Sequence, residues 1–340
     1  MPGNDNSEHV ISSPGNEAVT PIRLDLTSLI NQSCTVRAPG TVANMVCGFD
    51  VLGLALNDPY DLMTIKLIEE PVVIIHNRDK YGLPTDPQKN VAGVSLLEMI
   101  DRLENRIGFD ITIEKKIMPG SGIGSSAASA AGAVVAANYL LGNIFSNFDL
   151  VQMAMFGEKL ASGVKHADNI APCIYGGVTL IRSIYPLDII NVPSPPMYVT
   201  LVHPQIEVRT EDARQILRKQ ILLKDAIRQW GNIAGLVTGL MKNDYDLIGR
   251  SLEDVLIEPV RSILIPAFNE VKSKSLEAGA LGGGISGSGP SIFMLSRDEK
   301  TARNVESAMQ EIYTNTGIAF HTYVTTVNMK GVTMVNQDIS

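Results

Sequence analysis

The stretch PGSGIGSSAASAAGAVVAAN, residues 119–138, decides the fold of this part of the chain. Three glycines alternate with other residues, two serines follow, and a long run of small apolar residues completes the segment. Glycine costs conformational entropy, so it is typical of places where the backbone turns sharply or approaches another group closely. The alternating residues before it, FDITIEKK (109–116), predict a strand, and the small-residue run predicts a helix over residues 125–141.

A strand, a glycine-rich turn and a helix together present free backbone N–H groups to an anion. The first N–H groups of a helix have no intrahelical partner, and the helix dipole adds positive potential there. We therefore interpret this stretch as a phosphate-binding loop, with a flexible turn as the alternative for such a loop on its own. Its members are Pro119, Gly120, Ser121, Gly122, Ile123, Gly124, Ser125, Ser126, Ala127 and Ala128.

The loop matches neither of the two common nucleotide-binding patterns. A Walker A loop requires a lysine before its Ser or Thr, and these glycines run as G-x-G-x-G instead of G-x-G-x-x-G. Gly282, Gly284 and Gly287 do match the second pattern, but no acidic residue follows about twenty positions later. We interpret that second match as chance.

Composition excludes several classes of protein. The chain has 340 residues, 45% of them hydrophobic and 19% charged, which is typical of a folded protein with one large or two medium domains. Its net charge of −8 argues against a nucleic-acid binder. Cys34, Cys47 and Cys173 are odd in number and widely spaced, as expected of reduced residues in a cytoplasmic protein. The five histidines show no i,i+4 pairing, which argues against zinc, and the apolar run 127–141 is too short to span a bilayer.

Strands and helices are mixed along the chain without a steady βαβα rhythm, which favours the α+β class over a doubly wound sheet. CTVRAP (34–39) predicts a strand that ends at a Pro-Gly turn. A helix is expected over residues 149–161, and three or four more between Thr210 and Ala278.

The domain organisation is predicted from two polar or proline-rich segments. Residues 1–33 are rich in Pro, Asn, Ser and Gly, and we expect a mobile tail there. The proline-rich residues 191–197 predict a boundary between an N-terminal ATP-binding domain (34–194) and a C-terminal, substrate-side domain (195–340).

Three motifs in order resemble the signatures of the GHMP kinases, the family of galactokinase, homoserine kinase, mevalonate kinase and phosphomevalonate kinase. They are VRAPGTVANMVCGFDVLGLAL (36–56), GIGSSAA (122–128) and LGGGISGSGPSIFML (281–295). The first motif, together with SGVKHADNIAPCIYGG (162–177), is similar to the homoserine kinase branch. One departure is that fewer residues separate Pro119 from GIGSS than is usual in the family, which would shift the first turn of the loop.

The resemblance implies a two-domain fold, with an N-terminal domain like ribosomal protein S5 domain 2, a ferredoxin-like C-terminal domain and the active site between them. It also implies ATP and Mg²⁺ as cofactors, L-homoserine as substrate on the threonine branch of amino-acid synthesis, and a homodimer. Two alternatives remain: a sister kinase that acts on mevalonate or a sugar, and a nucleotide-binding sensor without catalysis.

Phosphoryl transfer from ATP depends mainly on positioning and on neutralisation of charge. The resemblance implies that Glu158 and Ser126, with Ser125 as a second hydroxyl, hold magnesium; an ordinary solvated glutamate is the alternative for Glu158. At the position of Asn169, mevalonate kinase-like members have an aspartate that can accept the hydroxyl proton. We therefore hypothesise that Asn169 orients the substrate beside Asp168 and that catalysis proceeds by alignment, without a dedicated protein base.

A binding site for a small zwitterion needs both positively and negatively charged groups. Arginine best meets a carboxylate, and the resemblance assigns Arg214 and Arg261 to that end, with ordinary surface arginines as the alternative. The other substrate-side candidates are the ammonium acceptors Asp168, Asn44 and Asp50; His166, which lines the pocket or simply packs; Thr210, which is predicted to cap the helix of Arg214; and Gly287 in the last glycine cluster.

Overall fold

The computed structural model of the protein describes residues 29–104, 107–208 and 210–335. These residues form a seven-stranded sheet and a four-stranded sheet. The strands of the larger sheet are β1 (Ser33–Ala43), β2 (Leu52–Ile68), β3 (Val73–Asn77), β4 (Gly108–Glu114), β5 (Val178–Ile184), β6 (Leu187–Val192) and, last in the chain, β11 (Thr333–Met334). The strands of the smaller sheet are β7 (Tyr198–Pro204), β8 (Gly282–Ile285), β9 (Ile292–Ser296) and β10 (Phe320–Thr326).

The larger sheet is organised around β2, whose 17 residues are long enough to pair with three neighbours. It pairs antiparallel with β1 and β4, and its first residues also pair with β5, which in turn pairs with β6. The order is β11-β1-β2-β4-β3, and the β3–β4 pair is parallel. The smaller sheet has the order β10-β7-β9-β8 and is antiparallel throughout.

Helices pack against both sheets. Four lie between β3 and β5 in the chain: α1 (Val91–Arg102), α2 (Ser125–Leu140), α3 (Asn147–Ser162) and α4 (Ile170–Tyr175). Six more belong to the second half of the chain: α5 (Thr210–Gln215), α6 (Leu223–Lys242), α7 (Tyr245–Ser251), α8 (Glu258–Arg261), α9 (Phe268–Glu277) and α10 (Glu299–Thr316). None of the helices in the described part of the chain is long and apolar enough to cross a bilayer.

Helix α2 lies in the centre of the first domain and is buried on nearly all sides, which explains its uniformly small residues. A side chain on Gly132 would come within 2.6 Å of the Met63 sulfur on β2, so the helix and the sheet are as close as their backbones allow. The expected helix over 125–141 is confirmed, and so is the strand that precedes it. The α+β class is likewise confirmed by the mixed sheets and helices.

The predicted turn at Pro39-Gly40 is wrong, because β1 continues through both residues to Ala43. The register between β1 and β2 shifts between Pro39 and Thr41, as in a β-bulge, so the two residues bend the strand without ending it. Gly40 is required there because a Cβ would lie 3.0 Å from both Ile123 and the Pro59 carbonyl oxygen.

Residues 29–33 of the expected tail belong to the described part of the chain and residues 1–28 lie outside it, so the tail stays a prediction. Leu29 and Ile30 pack against the core, and the Asn31 N–H donates to the Leu67 carbonyl at 3.0 Å. Five α-helices, not three or four, lie between Thr210 and Ala278.

The connection between β6 and β7 joins the two sheets, at the position expected for a domain boundary. The chain does not divide there completely, because β11 returns to the larger sheet and pairs with β1. The division at residues 194 and 195 therefore stays a prediction.

Candidate active site

A cleft enclosing about 600 Å³, part of it open to solvent, lies where the loop before α2 meets elements of the second domain. Most of the residues proposed from sequence line it. They are Asn44, Asp50, Gly122, Gly124, Ser125, Ser126, Glu158, His166, Asp168, Asn169, Arg214, Arg261 and Gly287. Ala43, Phe49 and Ser288, which sequence reasoning did not select, complete the lining.

Several proposed loop residues do not line the cleft. They are Pro119, Gly120, Ser121, Ile123, Ala127 and Ala128. Ser121, Ile123 and the two alanines are buried in the core, so they can meet a ligand only through their backbone. Thr210 is the first residue of α5, but its side chain, and hence its proposed capping role, lies outside the described residues.

The turn before α2 depends on glycine for both conformation and space. Gly122 and Gly124 have φ of 78° and 64°, the left-handed region that side chains disfavour. A Cβ on Gly122 would lie 2.6 Å from the Ser286 and Gly289 carbonyl oxygens, because the second domain's glycine loop packs directly on the turn. The Ser286 hydroxyl also donates to the Gly122 carbonyl at 2.7 Å, which joins the two loops.

Two alanine substitutions separate the steric requirement from the conformational one. At Gly124 a Cβ would lie 1.9 Å from Thr41 Oγ1, whereas at Gly120, with φ of 73°, it would meet nothing within 4 Å. We expect Gly120→Ala to cost about 1 kcal/mol of unfolding free energy from backbone strain alone, and Gly124→Ala to cost more and to abolish most activity. Urea unfolding and kcat/KM would measure both, and equal losses in the two variants would contradict the steric account.

The two adjacent serines point to different partners. Ser126 Oγ donates to Glu158 Oε2 at 3.0 Å, across the contact between α2 and α3. Ser125 Oγ instead donates to the Ile117 carbonyl at 2.9 Å, at the start of the loop. Glu158 is only 8% exposed, so the alternative of a solvated helix glutamate does not describe it.

The Ser126–Glu158 pair fits a magnesium ion. A carboxylate and a hydroxyl are hard oxygen donors, and Mg²⁺ typically binds one or two carboxylates together with substrate phosphates. The pair lies beside the left-handed glycine turn and the N-terminus of α2, where phosphate oxygens would be expected. These residues therefore have the chemistry and the position that such an ion requires.

Asp168 and Asn169 lie at the start of α4 and face the same cleft. Burial, with a smaller effect from the negative charges of Asp50 and Glu158, raises the pKa of Asp168 to about 7. Asn169 Oδ1 accepts a hydrogen bond of 2.7 Å from Thr41 Oγ1. Thr41, fully buried on β1, was not selected from sequence, and its only signal was its place within the first motif.

Arg214 and Arg261 both lie close to the Phe49 ring. Arg214 donates both terminal nitrogens to the Asp50 carboxylate, at 2.8 and 3.2 Å, and its buried Nε has no hydrogen-bond partner among the described residues. Arg261 is 3% exposed and donates to the carbonyls of Ala213 and Gly287. The guanidinium carbons lie 5.5 and 4.8 Å from the centre of the Phe49 ring. Neither arginine is an ordinary surface residue.

The proximity of a buried arginine and a half-buried one indicates an anion site. Burial, and secondarily the charge of Arg214, lowers the pKa of Arg261 to about 10. Both Asp50 oxygens are engaged by Arg214, so Asp50 offsets only part of the positive charge and is oriented by it. A bound carboxylate would supply the remaining negative charge.

Asn44 organises the turn that carries Phe49 and Asp50. Its Oδ1 accepts from the Asp50 N–H at 3.0 Å, and its Nδ2 donates to the Gly287 carbonyl at 2.8 Å. His166 Nδ1 lies 3.8 Å from Asp50 Oδ1, and its buried Nε2 has no hydrogen-bond partner among the described residues. Burial lowers the pKa of His166, which keeps the ring neutral near pH 7.

The sequence is similar to those of known kinases. The chain matches the family models described as GHMP kinases N terminal domain, over residues 93–177, and GHMP kinases C terminal, over residues 236–315. A homoserine kinase of Chloroherpeton thalassium is 48% identical over 289 residues, which cover 81% of this chain and 91% of the relative. A homoserine kinase of Methanocella arvoryzae is 41% identical, covering 90% of this chain and 98% of the relative.

Solved structures are similar as well. The crystal structure of homoserine kinase from Cytophaga hutchinsonii is 48% identical and superposes with a TM-score of 0.86, covering 89% of this chain and 97% of that one. The L. major mevalonate kinase in complex with R-mevalonate is 14% identical with a TM-score of 0.66, covering 91% and 98%. The similarity to the mevalonate kinase, at 14% identity, concerns the fold alone.

Proposed function

This chain belongs to the GHMP kinase family, and on that premise we propose that it transfers the γ-phosphoryl group of ATP to the hydroxyl of L-homoserine. The products are ADP and O-phospho-L-homoserine, an intermediate of threonine synthesis. The observation that carries the proposal is the pair Arg214 and Arg261, one half-buried and the other buried, in the cleft beside the phosphate-type turn. A neutral sugar has no use for two arginines in its binding site, and a sensor has no need of the Ser126–Glu158 pair.

The nucleotide end of the cleft is the turn from Gly122 to Ser126. Its backbone N–H groups and the N-terminus of α2 would hold the phosphates of ATP. Ser126 and Glu158 would hold Mg²⁺, which when bound neutralises charge on the transferring phosphoryl oxygens. Gly122 and Gly124 have left-handed backbone angles, which glycine adopts without the strain that a side chain would cause.

The amino-acid end of the cleft has groups of both signs. Arg261 and the free Nε of Arg214 would bind the substrate carboxylate, with the two guanidinium groups held in place against Phe49. Asp168 would accept from the substrate ammonium, with Asn44 and His166 beside it. This arrangement orients the hydroxyl of the substrate towards the phosphate turn, and orientation is a large part of catalysis in phosphoryl transfer.

We further propose that no side chain acts as a dedicated base. Asn169 lies where a base would be expected, and an amide does not accept the hydroxyl proton usefully at neutral pH. Its hydrogen bond from the buried Thr41 supports an orienting role, because the carboxamide is held in one position. In a loose transition state the proton can leave late, to phosphate or solvent.

The raised pKa of Asp168 predicts a pH dependence. Below its pKa of about 7 the free protein carries a neutral Asp168, which lacks the charge that an ammonium group requires. We therefore expect kcat/KM for L-homoserine to rise as the pH increases through about 7. We expect kcat to stay nearly constant, because the bound ammonium keeps the carboxylate ionised.

Steady-state kinetics between about pH 6 and pH 9 would measure both parameters. Asp168→Asn is the matched control, because it should remove the pH dependence of kcat/KM while lowering its value. A kcat that itself fell with a midpoint near 7 would indicate a titrating protein base and would contradict catalysis by alignment.

The substrate proposal is tested by ADP release with a panel of alcohols: L-homoserine, L-threonine, L-serine, mevalonate and galactose, each with and without Mg²⁺. Turnover of L-homoserine alone, dependent on the metal, is the expected result. Turnover of mevalonate or galactose would keep the family and overturn the substrate. ATP binding without turnover of any alcohol would favour a nucleotide sensor.

We also propose a cellular compartment and an oligomeric state. The three cysteines are free and buried, which supports a reducing compartment such as the cytoplasm. A homodimer is proposed from the family resemblance, and sedimentation of the purified chain would test it.

A further inference from the structure

A buried ion pair lies underneath the phosphate-type turn. Lys115 immediately follows β4 and Asp61 lies within β2, and their side chains are 2% and 0% exposed. Besides Asp61, the Lys115 ammonium donates to the Ser125 carbonyl at 2.7 Å and to the Ser129 hydroxyl at 2.8 Å. All three donors of the ammonium therefore have acceptors, which is the condition for a charge to be tolerated at such depth.

Asp61 binds the chain where it enters the turn. Its Oδ1 accepts from the backbone N–H groups of Lys116 and Ile117, at 2.7 and 2.8 Å, while its Oδ2 accepts from Lys115. These N–H groups belong to the first residues after β4, where pairing with β2 has ended. The Asp61 carboxylate therefore keeps the chain attached to β2 beyond the last backbone pair of the sheet.

Lys115 binds the chain where it leaves the turn. The Ser125 carbonyl that it contacts belongs to the first residue of α2. Ser125 Oγ also donates to the Ile117 carbonyl at 2.9 Å, directly across the base of the turn. The entry at residues 116–117 and the exit at residue 125 are therefore joined by one ion pair and one hydroxyl bond.

We propose that Lys115 and Asp61 are positioning residues that clamp the two ends of the phosphate-binding turn, and so set the place of its N–H groups and of Ser126. A buried ion pair contributes little net folding free energy, because the cost of removing two charges from water is about as large as their attraction. The better-attested role of such pairs is to fix one arrangement among several. Here the arrangement is the distance between β4 and the first turn of α2.

The inference rests on the proposed ATP-dependent reaction, and it predicts a separable kinetic effect. A turn held less tightly would misplace the phosphates but leave the amino-acid end of the cleft intact, since neither Lys115 nor Asp61 lines it. A misplacement of about 1 Å can cost about 100-fold in rate. The loss should therefore fall on ATP and on kcat, and not on the KM for L-homoserine.

The informative variant is the double substitution Asp61→Asn with Lys115→Met. Asparagine keeps an acceptor for the Lys116 and Ile117 N–H groups, and methionine fills the space of lysine without bonding to Ser125. Neither charge is left buried without its partner, so the fold should survive, with a melting temperature near that of the wild type. Lys116→Gln is the control, because it removes an exposed charge next to Lys115 and keeps the backbone N–H that donates to Asp61.

The measurements are the Kd for ATP by calorimetry, and kcat with both KM values. We expect kcat/KM for ATP to fall by about 10- to 100-fold in the double variant. The KM for L-homoserine in that variant, and all kinetic parameters of Lys116→Gln, should stay near wild-type values. Wild-type ATP affinity and kcat in a folded double variant, or equal losses for both substrates, would overturn the clamp and leave the proposed function standing. Absence of ATP binding by the wild-type chain would overturn both.

A second variant keeps the test decisive should the double variant not fold. Ser125→Ala removes only the hydroxyl bond to the Ile117 carbonyl across the base of the turn. It should raise the Kd for ATP several-fold and leave the KM for L-homoserine unchanged. An unchanged Kd for ATP would contradict the clamp.

Discussion

Glu158→Gln is expected to lower kcat by about 10²- to 10³-fold, because a bound metal ion supplies several kcal/mol of transition-state stabilisation. The amide keeps the size of the side chain and can still accept from Ser126 Oγ, which lies 3.0 Å from Oε2. What it loses is the charge that would hold Mg²⁺ beside the phosphate turn. The Mg²⁺ concentration for half-maximal activity should rise in parallel, and a magnesium titration of ADP release measures both.

Lys159→Gln is the matched control for this variant. Lys159 is the next residue on α3 and is exposed, so the substitution removes a charge from the same helix without reaching the cleft. It should retain wild-type kcat and magnesium dependence. A Glu158→Gln variant with nearly normal kcat and an unchanged magnesium requirement would contradict the assignment of the metal to this pair.

Arg214→Lys is expected to lower kcat/KM for L-homoserine by about 10- to 100-fold while the KM for ATP stays near its wild-type value. Lysine keeps the charge but has no planar fork, so it cannot reproduce the two parallel bonds to Asp50 and leave a third donor for a substrate. Hydrogen bonds to charged groups contribute about 1.5–3 kcal/mol each, which corresponds to the expected range. Steady-state kinetics with each substrate varied in turn would measure the effect.

A substrate analogue provides the sharper test of what Arg214 contacts. In L-2-aminobutane-1,4-diol the carboxylate of homoserine is replaced by an alcohol, so the wild-type chain should use it poorly. If Arg214 binds the carboxylate, Arg214→Lys should cost much less activity on the analogue than on L-homoserine. Equal losses on both compounds would indicate that the arginine acts only by orienting Asp50. Arg218→Lys, at an exposed position in the same segment, is the control.

Part of the site was predictable because several of its polar residues, such as Asp168 and Asn169, lie within short motifs. The turn in GIGSS has left-handed backbone angles at its two glycines, which other residues disfavour, so glycines at this spacing indicate a turn. Arg214, Arg261 and Glu158 were singled out from the family resemblance, and the structure brings all three to one cleft. Their roles remain predictions that the variants above would test.

The residues that were missed act through partners distant in sequence. Thr41 contacts Asn169, 128 positions away, and Asp61 lies 54 positions from Lys115. No local periodicity marks such a pair, because each member looks like an ordinary polar residue as long as its distant partner is not known. Phe49 was missed for the same reason: its ring matters only because two arginines from the second domain lie against it.

The sequence by itself determined the phosphate-type turn, the buried helix behind it and the α+β class, since these follow from backbone preferences and side-chain size within a few residues. Only the tertiary structure decided that Ser126 and not Ser125 meets Glu158, and that β1 continues through Pro39 and Gly40. The physical reason is that both outcomes depend on distant strands and helices. A hydroxyl points to the acceptor that packing places near it. A strand bends where packing places a neighbour against it.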